Sequence, residues 1–311
     1  MDLKNKKGVD LSSANGSVDM NKIKAAGYDF VMLRCGYGND DTSQDDSRFE
    51  SNVKKAEAAG LPWGAYIYSY ALDTNEAKSE AQHVIRLLRG KKPTMPIALD
   101  MEDADGYKRR NGMPTNNELV KICETFLSTI KKAGYYPMLY ASLSWLDNQL
   151  NNKSLQNSYD IWCAQWNSVC QYDGSRLGMW QYGGETNYLE SNSISGVGTV
   201  DKDICYKDYP SIIKNGGYNN WTGAKVLDEK GFEKGDETYG VFALKELILI
   251  AKKLGIVTQG VDENNAFGDG TEAAVNQILK RGGYAQNGIA GYGLIKYLAG
   301  LIKKKLGYYI S

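Results

Sequence analysis

Eight short apolar runs divide the first two thirds of this chain, and the early ones alternate with helical patterns. The runs are KGVDLS, FVMLRCGYG, WGAYIYSYA, PIALDME, PMLYAS, IWCAQW, GMWQYG and TVDKDICY. Between the early ones lie DMNKIKAAG, RFESNVKKAEAAG, NEAKSEAQHVIRLLRG, TNNELVKICETFLSTIKKAG and SLSWLDNQL. These carry apolar residues at helical spacing, and several end in a glycine suited to a helix C-cap. Neighbouring parallel strands need a crossover, and a helix supplies one. Eight such strands can close on themselves. After Trp162 the strands follow one another through irregular segments instead of helices. The pattern therefore predicts an α/β fold, a modified (β/α) barrel of about eight strands with five helices. The rival is an open doubly wound sheet, which would normally offer a phosphate loop or G-x-G-x-x-G between strand and helix; neither occurs here.

Around residues 207 to 240 the alternation lapses. KNGGYNNWTG is rich in Gly and Asn and reads as a linker. Three helical patterns follow: VFALKELILIAKKLG, GTEAAVNQILKRGG and GLIKYLAGLIKKKLG. They predict a small C-terminal three-helix bundle near the lower size limit for unaided folding. The expected division is a barrel over 1–210, a linker over 211–235 and the bundle over 236–311.

Composition narrows the functions. Basic and acidic residues are equal in number, 37 each, which argues against a nucleic-acid partner. No apolar run approaches the roughly 20 residues that span a bilayer. The opening MDLKNKKGVDLSS has charges but no apolar stretch after them, so no secretory signal is expected. The five cysteines, Cys35, Cys123, Cys163, Cys170 and Cys205, are scattered and read as buried thiols. His83 is the sole histidine and sits in a helical pattern, so a zinc site or a histidine-based triad is poorly supported.

One stretch stands out. In MPIALDMEDADG a buried-looking strand delivers Asp100, Glu102, Asp103 and Asp105. Side chains alternate along a strand, so Asp100 and Glu102 share a face while Met101 points into the helical layer. On the fourth strand of a barrel this pair would sit at the C-terminal rim, where barrel enzymes place their chemistry. Two close carboxyls cannot ionise independently, and one should hold its proton to higher pH, as a general acid requires. Asp10, closing the first run, and Asp201, in the last, would join them, because first and last strands are neighbours in a closed barrel. Singly, each reads as an ordinary strand-end acid; with the D-x-E pair they form a ring. Asp103 and Asp105, with Lys108, Arg109 and Arg110, read as a solvated loop. Tyr37, Tyr66, Tyr68, Tyr140, Trp162, Trp166, Trp180 and Tyr182 fall in or just after strands. Aromatic faces stack on the CH faces of sugars, so acids and rings at one barrel mouth suit a polysaccharide cleft. Trp162 and Trp180 read as packing.

The blocks GVDLSSANGSVDMNKIKAAGYDFVMLRCGYG, GLPWGAYIYSYA, IALDMED, YPMLYAS, IWCAQW, WQYGG and GVGTVDKDICY, in this order over residues 6 to 209, resemble the glycoside hydrolase family 25 lysozymes of phage endolysins and bacterial autolysins. The resemblance implies a modified (β/α) barrel that cuts the β-1,4 bond from N-acetylmuramic acid to N-acetylglucosamine in peptidoglycan, with net retention and no metal or cofactor. The attacking group can be a carboxylate or the substrate's N-acetyl oxygen. By motif, Glu102 matches the general acid, Asp100 its partner, and Asp10 and Asp201 the flanking acids. Tyr66 matches a ring beside the acids, and Arg34, Tyr140, Trp166 and Gln181 match cleft-lining positions. Where the family often has Tyr-His-Phe, this chain reads YIYSY, with Tyr68 in the cleft-lining set and no histidine. The last 70 residues resemble a three-helix peptidoglycan-binding domain through FGDGTEAAV, with Thr271 near a helix N-cap, and QNGIAG, where Asn287 stands for the usual Asp. That implies bacterial peptidoglycan as partner, and a tether that keeps the barrel on its insoluble substrate. Self-association through the bundle is the bland rival, and the amphipathic YLAGLIKKKLGYYI also suits a membrane surface. An endolysin without a signal peptide is made in the host cytoplasm and reaches the wall after holin-type release. Competing functions are a chitinase-like glycosidase and a non-catalytic cell-wall-binding protein.

Overall fold

Seven strands run parallel around the first unit: β1 (Lys6–Leu11), β2 (Phe30–Tyr37), β3 (Trp63–Tyr68), β4 (Ile97–Asp100), β5 (Pro137–Ser142), β6 (Asp160–Ala164) and β7 (Leu177–Gly183). They belong to a computed structural model that describes residues 2–222, 227 and 231–307. A small hairpin, β8 (Ser193–Ile194) and β9 (Gly198–Thr199), precedes β10 (Asp201–Cys205). β10 slots between β7 and β1, antiparallel to both, and closes an eight-stranded barrel. The reversal follows from the chain itself: β7 reaches β10 through a hairpin-bearing loop, with no helical crossover to carry it back.

Alternation sets what each strand residue faces. Val9, Val31, Leu33, Ile67, Ile97 and Leu99 point outward into one core beneath the helices. Phe30, Met32, Tyr66, Ala98, Met138, Trp162 and Met179 fill the barrel interior. Gly8 makes room inside: a Cβ there would come within 2.3 Å of the Phe30 ring. The five expected helical patterns form α1 (Met20–Ala25), α2 (Phe49–Ala59), α3 (Thr74–Leu87), α5 (Asn116–Lys132) and α6 (Leu143–Asp147), with two further short helices, α4 (Tyr107–Arg110) and α7 (Lys153–Ser158). The two longest of them start on side-chain caps, Asp73 for α3 and a Thr115–Glu118 capping box for α5. The buried stripe of α5, from Leu119 through Cys123 and Phe126 to Ile130, packs on α3 and β5.

The chain forms two compact units, Met1–Trp221 and Thr222–Ser311. The linker expected over 211–235 therefore starts too early. Residues Tyr209–Gly216 form α8, whose Tyr209 and Ile213 plug the N-terminal end of the barrel. Asn219, wholly buried, donates its amide to the carbonyls of Pro93 and Met95 and accepts from the Tyr136 N–H at 2.9 Å. What reads as a polar linker is a plug that satisfies strand-end backbone groups. Of the remaining linker residues, 223–226 and 228–230 lie outside the described residues.

The second unit contains α9 (Tyr239–Lys253), α10 (Asp269–Arg281) and α11 (Tyr292–Lys305), with a two-stranded pair, β11 (Gly231–Phe232) and β12 (Ala290–Gly291). Its core is Val241, Leu244, Ile248, Val275, Ile278, Leu294 and Leu298. Lys245 is buried, its ammonium bound to Asp262, Asn264 and the Ala266 carbonyl. Gly268 is the N-cap of α10, and Thr271 lies close by in the first turn, buried. Asn287 accepts from the Ile289 N–H, a turn bond that Asp would also make. No helix among the described residues is long and apolar enough to cross a membrane. The end of the amphipathic run, 308–310, lies outside the described residues.

Candidate active site

The C-terminal rim of the barrel gathers the acids because each sits at an inward-facing position. Asp100 ends β4 two residues after the inward Ala98. Asp10 follows Gly8 on β1, and pairs in register with Asp201. Asp201 begins β10, but β10 is reversed, so its first residue reaches the same rim as the last residues of the others. The strand stops at Asp100, so Glu102 stands in the following loop and not on β4 itself. It nevertheless faces the same cavity, and Met101 turns into the outer core.

A cavity of about 200 Å³ opens there, lined by Asp10, Ser12, Arg34, Tyr66, Tyr68, Asp100, Glu102, Tyr140, Trp162, Gln181 and Asp201. Nine of the ten residues singled out from the sequence line it. The tenth, Trp166, stands at its edge, 40% exposed, with its indole N–H donated to the Gln181 carbonyl at 3.1 Å. Gly184 lets Trp166 and Asp201 close in, since a Cβ there would meet the Asp201 carboxylate at 2.4 Å and the indole at 2.5 Å.

Gln181 organises one wall. Its Nε2 donates to Asp10 Oδ2 at 2.9 Å, while its carbonyl accepts from the Tyr140 hydroxyl at 3.1 Å and from Trp166. The Tyr66 hydroxyl donates to Asp10 Oδ1 at 3.4 Å. Burial nevertheless dominates, and with the charge of Asp201 it pushes the Asp10 carboxyl well above the usual range. Burial, then the charges of Glu102 and Glu185, push Asp201 up to about 6. Asp100 and Glu102 perturb one another: the Glu102 carboxylate adds to burial in raising Asp100, while the bond to Asp100 and the Lys108 charge pull Glu102 back against its own burial, so the two do not ionise independently. Burial raises both, Asp100 the more strongly. Asp100 is the enclosed member and Glu102 the partly open one. Arg34 is held by Asp46 at 2.9 Å and by the Ser13 hydroxyl. The Tyr68 hydroxyl reaches Asp105, which also accepts from Tyr70 at 2.8 Å.

Several residues depart from the expected solvated loop or plain packing. Asp103 is buried, accepts from the Lys108 N–H at 2.7 Å and pairs with Arg109. Lys108 is 1% exposed, although its neighbour Arg109 projects into solvent. Asp105 ties two tyrosines to the rim. Trp162 does pack the barrel, but it also forms the cavity floor, stacks edge-on with Tyr66 and Tyr140, and donates to the buried Asp203 at 2.8 Å. Asp203 was legible in principle, since D-x-D on one strand puts both acids on one face. Ser12 carried no signal. His83 lies apart from the cleft, buried in α3, bridging the Gly38 carbonyl and Asp45.

Comparison with known proteins follows the same outline. The sequence profile of Glycosyl hydrolases family 25 matches residues 9–191. The autolytic lysozyme of Clostridium acetobutylicum is 26% identical over 274 residues, which is 88% of this chain and 72% of that one. The modular autolysin LytC of Streptococcus pneumoniae, solved with a synthetic peptidoglycan ligand, superposes with a TM-score of 0.56 at 25% identity. That match covers 64% of this chain and 46% of LytC, so the chain spans less than half of that protein's length. The CTP1L endolysin shares the fold over 96% of this chain and 99% of its own, with a TM-score of 0.54 at 18% identity.

Proposed function

This chain belongs to glycosyl hydrolases family 25, and from that premise we propose that it cleaves the β-1,4 bond from N-acetylmuramic acid to N-acetylglucosamine in bacterial peptidoglycan. It is a glycoside hydrolase of the lysozyme type. The observation that carries the bond-level reading is the placing of Asp100 and Glu102 together in one acid-ringed cleft, each displacing the other's ionisation. Glu102, the partly open member, gives a proton to the departing glycosidic oxygen and later takes one from water. Asp100, enclosed behind it, keeps the pair protonated at pH values where a lone carboxyl would be ionised. Asp201, ionised above about pH 6, supplies negative charge against the sugar's developing positive charge. Gln181 and Tyr66 fix the orientation of Asp10 through their hydrogen bonds. Arg34, Tyr68, Tyr140 and Trp166 offer hydroxyl-binding and stacking surfaces to the glycan.

The second unit holds the barrel on the wall. Its resemblance to a peptidoglycan-binding bundle supports this, and a tethered enzyme meets its insoluble substrate at raised local concentration. The decisive experiment incubates the full chain and Glu102→Gln with purified cell walls and identifies new reducing ends by mass spectrometry. Reducing N-acetylmuramic acid is expected from the native chain alone, with wall binding kept by the variant. Cleavage of chitin oligomers in place of walls, or undiminished cleavage by Glu102→Gln, would sink the assignment.

A further inference from the structure

Behind the acid pair lies a buried cation. The Lys108 ammonium donates to the main-chain carbonyl of Ser69 and, at 3.1 Å, to that of Glu102. Ser69 in turn donates its N–H to the Asp100 carbonyl at 3.0 Å and its hydroxyl to Glu80 at 2.8 Å. Glu80, itself buried, also accepts from the N–H groups of Tyr70 and Ala71. The carbonyls of both acids are thus held by one cluster, Asp100 through Ser69 and Glu102 through Lys108. An ammonium has the three donors and the reach for such a post, and nothing in a solvated charge run would require it to be enclosed.

We propose that Lys108 is a positioning residue for the cleavage, a buried cation that fixes the Glu102 main chain and sets the pH at which the Asp100–Glu102 pair gives up its proton. This rests on the reading of that pair as the proton donor. The neighbours support the sign. Facing the pair are Asp10 from β1, Asp201 from β10, Asp103 and Asp105 from the β4–α4 loop, and the neutral phenols of Tyr66, Tyr68 and Tyr140. Facing Lys108 are Glu80 from α3, Asp100, Asp103 and the Cys123 thiol from α5. Arg34 also lines the cleft but is engaged by Asp46. Glu102 and Asp10 raise Asp100, Asp105 and Asp103 raise Glu102, and Lys108 opposes them at both sites. Burial lowers the basicity of Lys108, while Glu80, Asp100 and Asp103 hold its proton on.

The test is a 13C-carboxyl NMR titration of the full chain, comparing native protein with Lys108→Met and Lys108→Arg. The two signals are identified by their loss in Asp100→Asn and Glu102→Gln. Removing the cation should move the pair's titration to higher pH by about 1 unit, and the pH–rate profile of wall cleavage should move with it; Arg should restore both. An unmoved titration in a folded Lys108→Met protein, with cleavage lowered equally at every pH, would overturn the proposal. Should Lys108→Met fail to fold, Lys108→Gln decides. It keeps an N–H donor beside the Ser69 and Glu102 carbonyls but removes the charge, so the titration should again move to higher pH, and no movement refutes the idea. The NMR titration needs no turnover, so it stands apart from the bond-level reading, which fails separately if Glu102→Gln cleaves as well as native protein.

Discussion

Replacing Asp201 by Asn should make the barrel more stable, and only above a defined pH. The carboxyl is displaced upward from 3.8 to about 6, chiefly by burial and then by Glu102 and Glu185. The folded barrel therefore binds more protons than the unfolded chain between those two values, and stability falls as pH rises through the window. At about 1.4 kcal/mol per pH unit, the displacement corresponds to about 3 kcal/mol of native-state cost once Asp201 is ionised. Coupling to Glu102 and Asp10 means that part of this is shared, so about 1–3 kcal/mol should be recovered by the amide at pH 8. At pH 4 the carboxyl is neutral in the fold and the gain should vanish. All six tryptophans, Trp63, Trp145, Trp162, Trp166, Trp180 and Trp221, lie in the first unit. Urea unfolding followed by tryptophan fluorescence at both pH values thus reports on the barrel without interference from the second unit. An equal effect at pH 4 and pH 8, or a loss of stability at pH 8, would refute the electrostatic reasoning.

Asn219→Ala should destabilise the same fluorescence transition by about 4 kcal/mol, from three lost hydrogen bonds at about 1 kcal/mol each and an alanine forced into the left-handed region; a change below 1 kcal/mol would show that the plug is dispensable. Cys170 is lowered to about 7 by its hydrogen bond with Cys163, while burial pushes Cys35, Cys123 and Cys205 up. Brief iodoacetamide treatment of native protein at pH 7.5 should therefore label Cys170 first, and peptide mapping that finds another cysteine ahead of it would contradict this.

The sequence carried the barrel because strand and helix periodicities are local and the chain repeats them. It carried the cleft because alternation along β1, β4 and β10 is a rule of geometry, needing no tertiary detail. What it hid was set by docking. KRR looks like a solvated charge run, and only the seating of α4 against Ser69 and Glu102 encloses Lys108. Likewise NGGYNN has linker composition, yet Asn219 is buried because the barrel end offers unpaired carbonyls at the right distance. Glu102 lies beyond its strand, so alternation alone overstated the length of β4 while giving the right face. For Lys108 and Asn219 a polar residue had found partners distant in sequence, which composition cannot register.

The pairing of β1 with β10 joins residues almost 200 positions apart. A ribosome-bound chain carries Asp10, Asp100 and Glu102 long before Asp201 emerges, and until then one side of the cleft does not exist. The ring of acids is complete only when the last strand pairs with the first. The same seam divides the cleft unequally: a chain ending before β10 would hold three of the four acids but neither Asp201 nor the strand that joins β7 to β1.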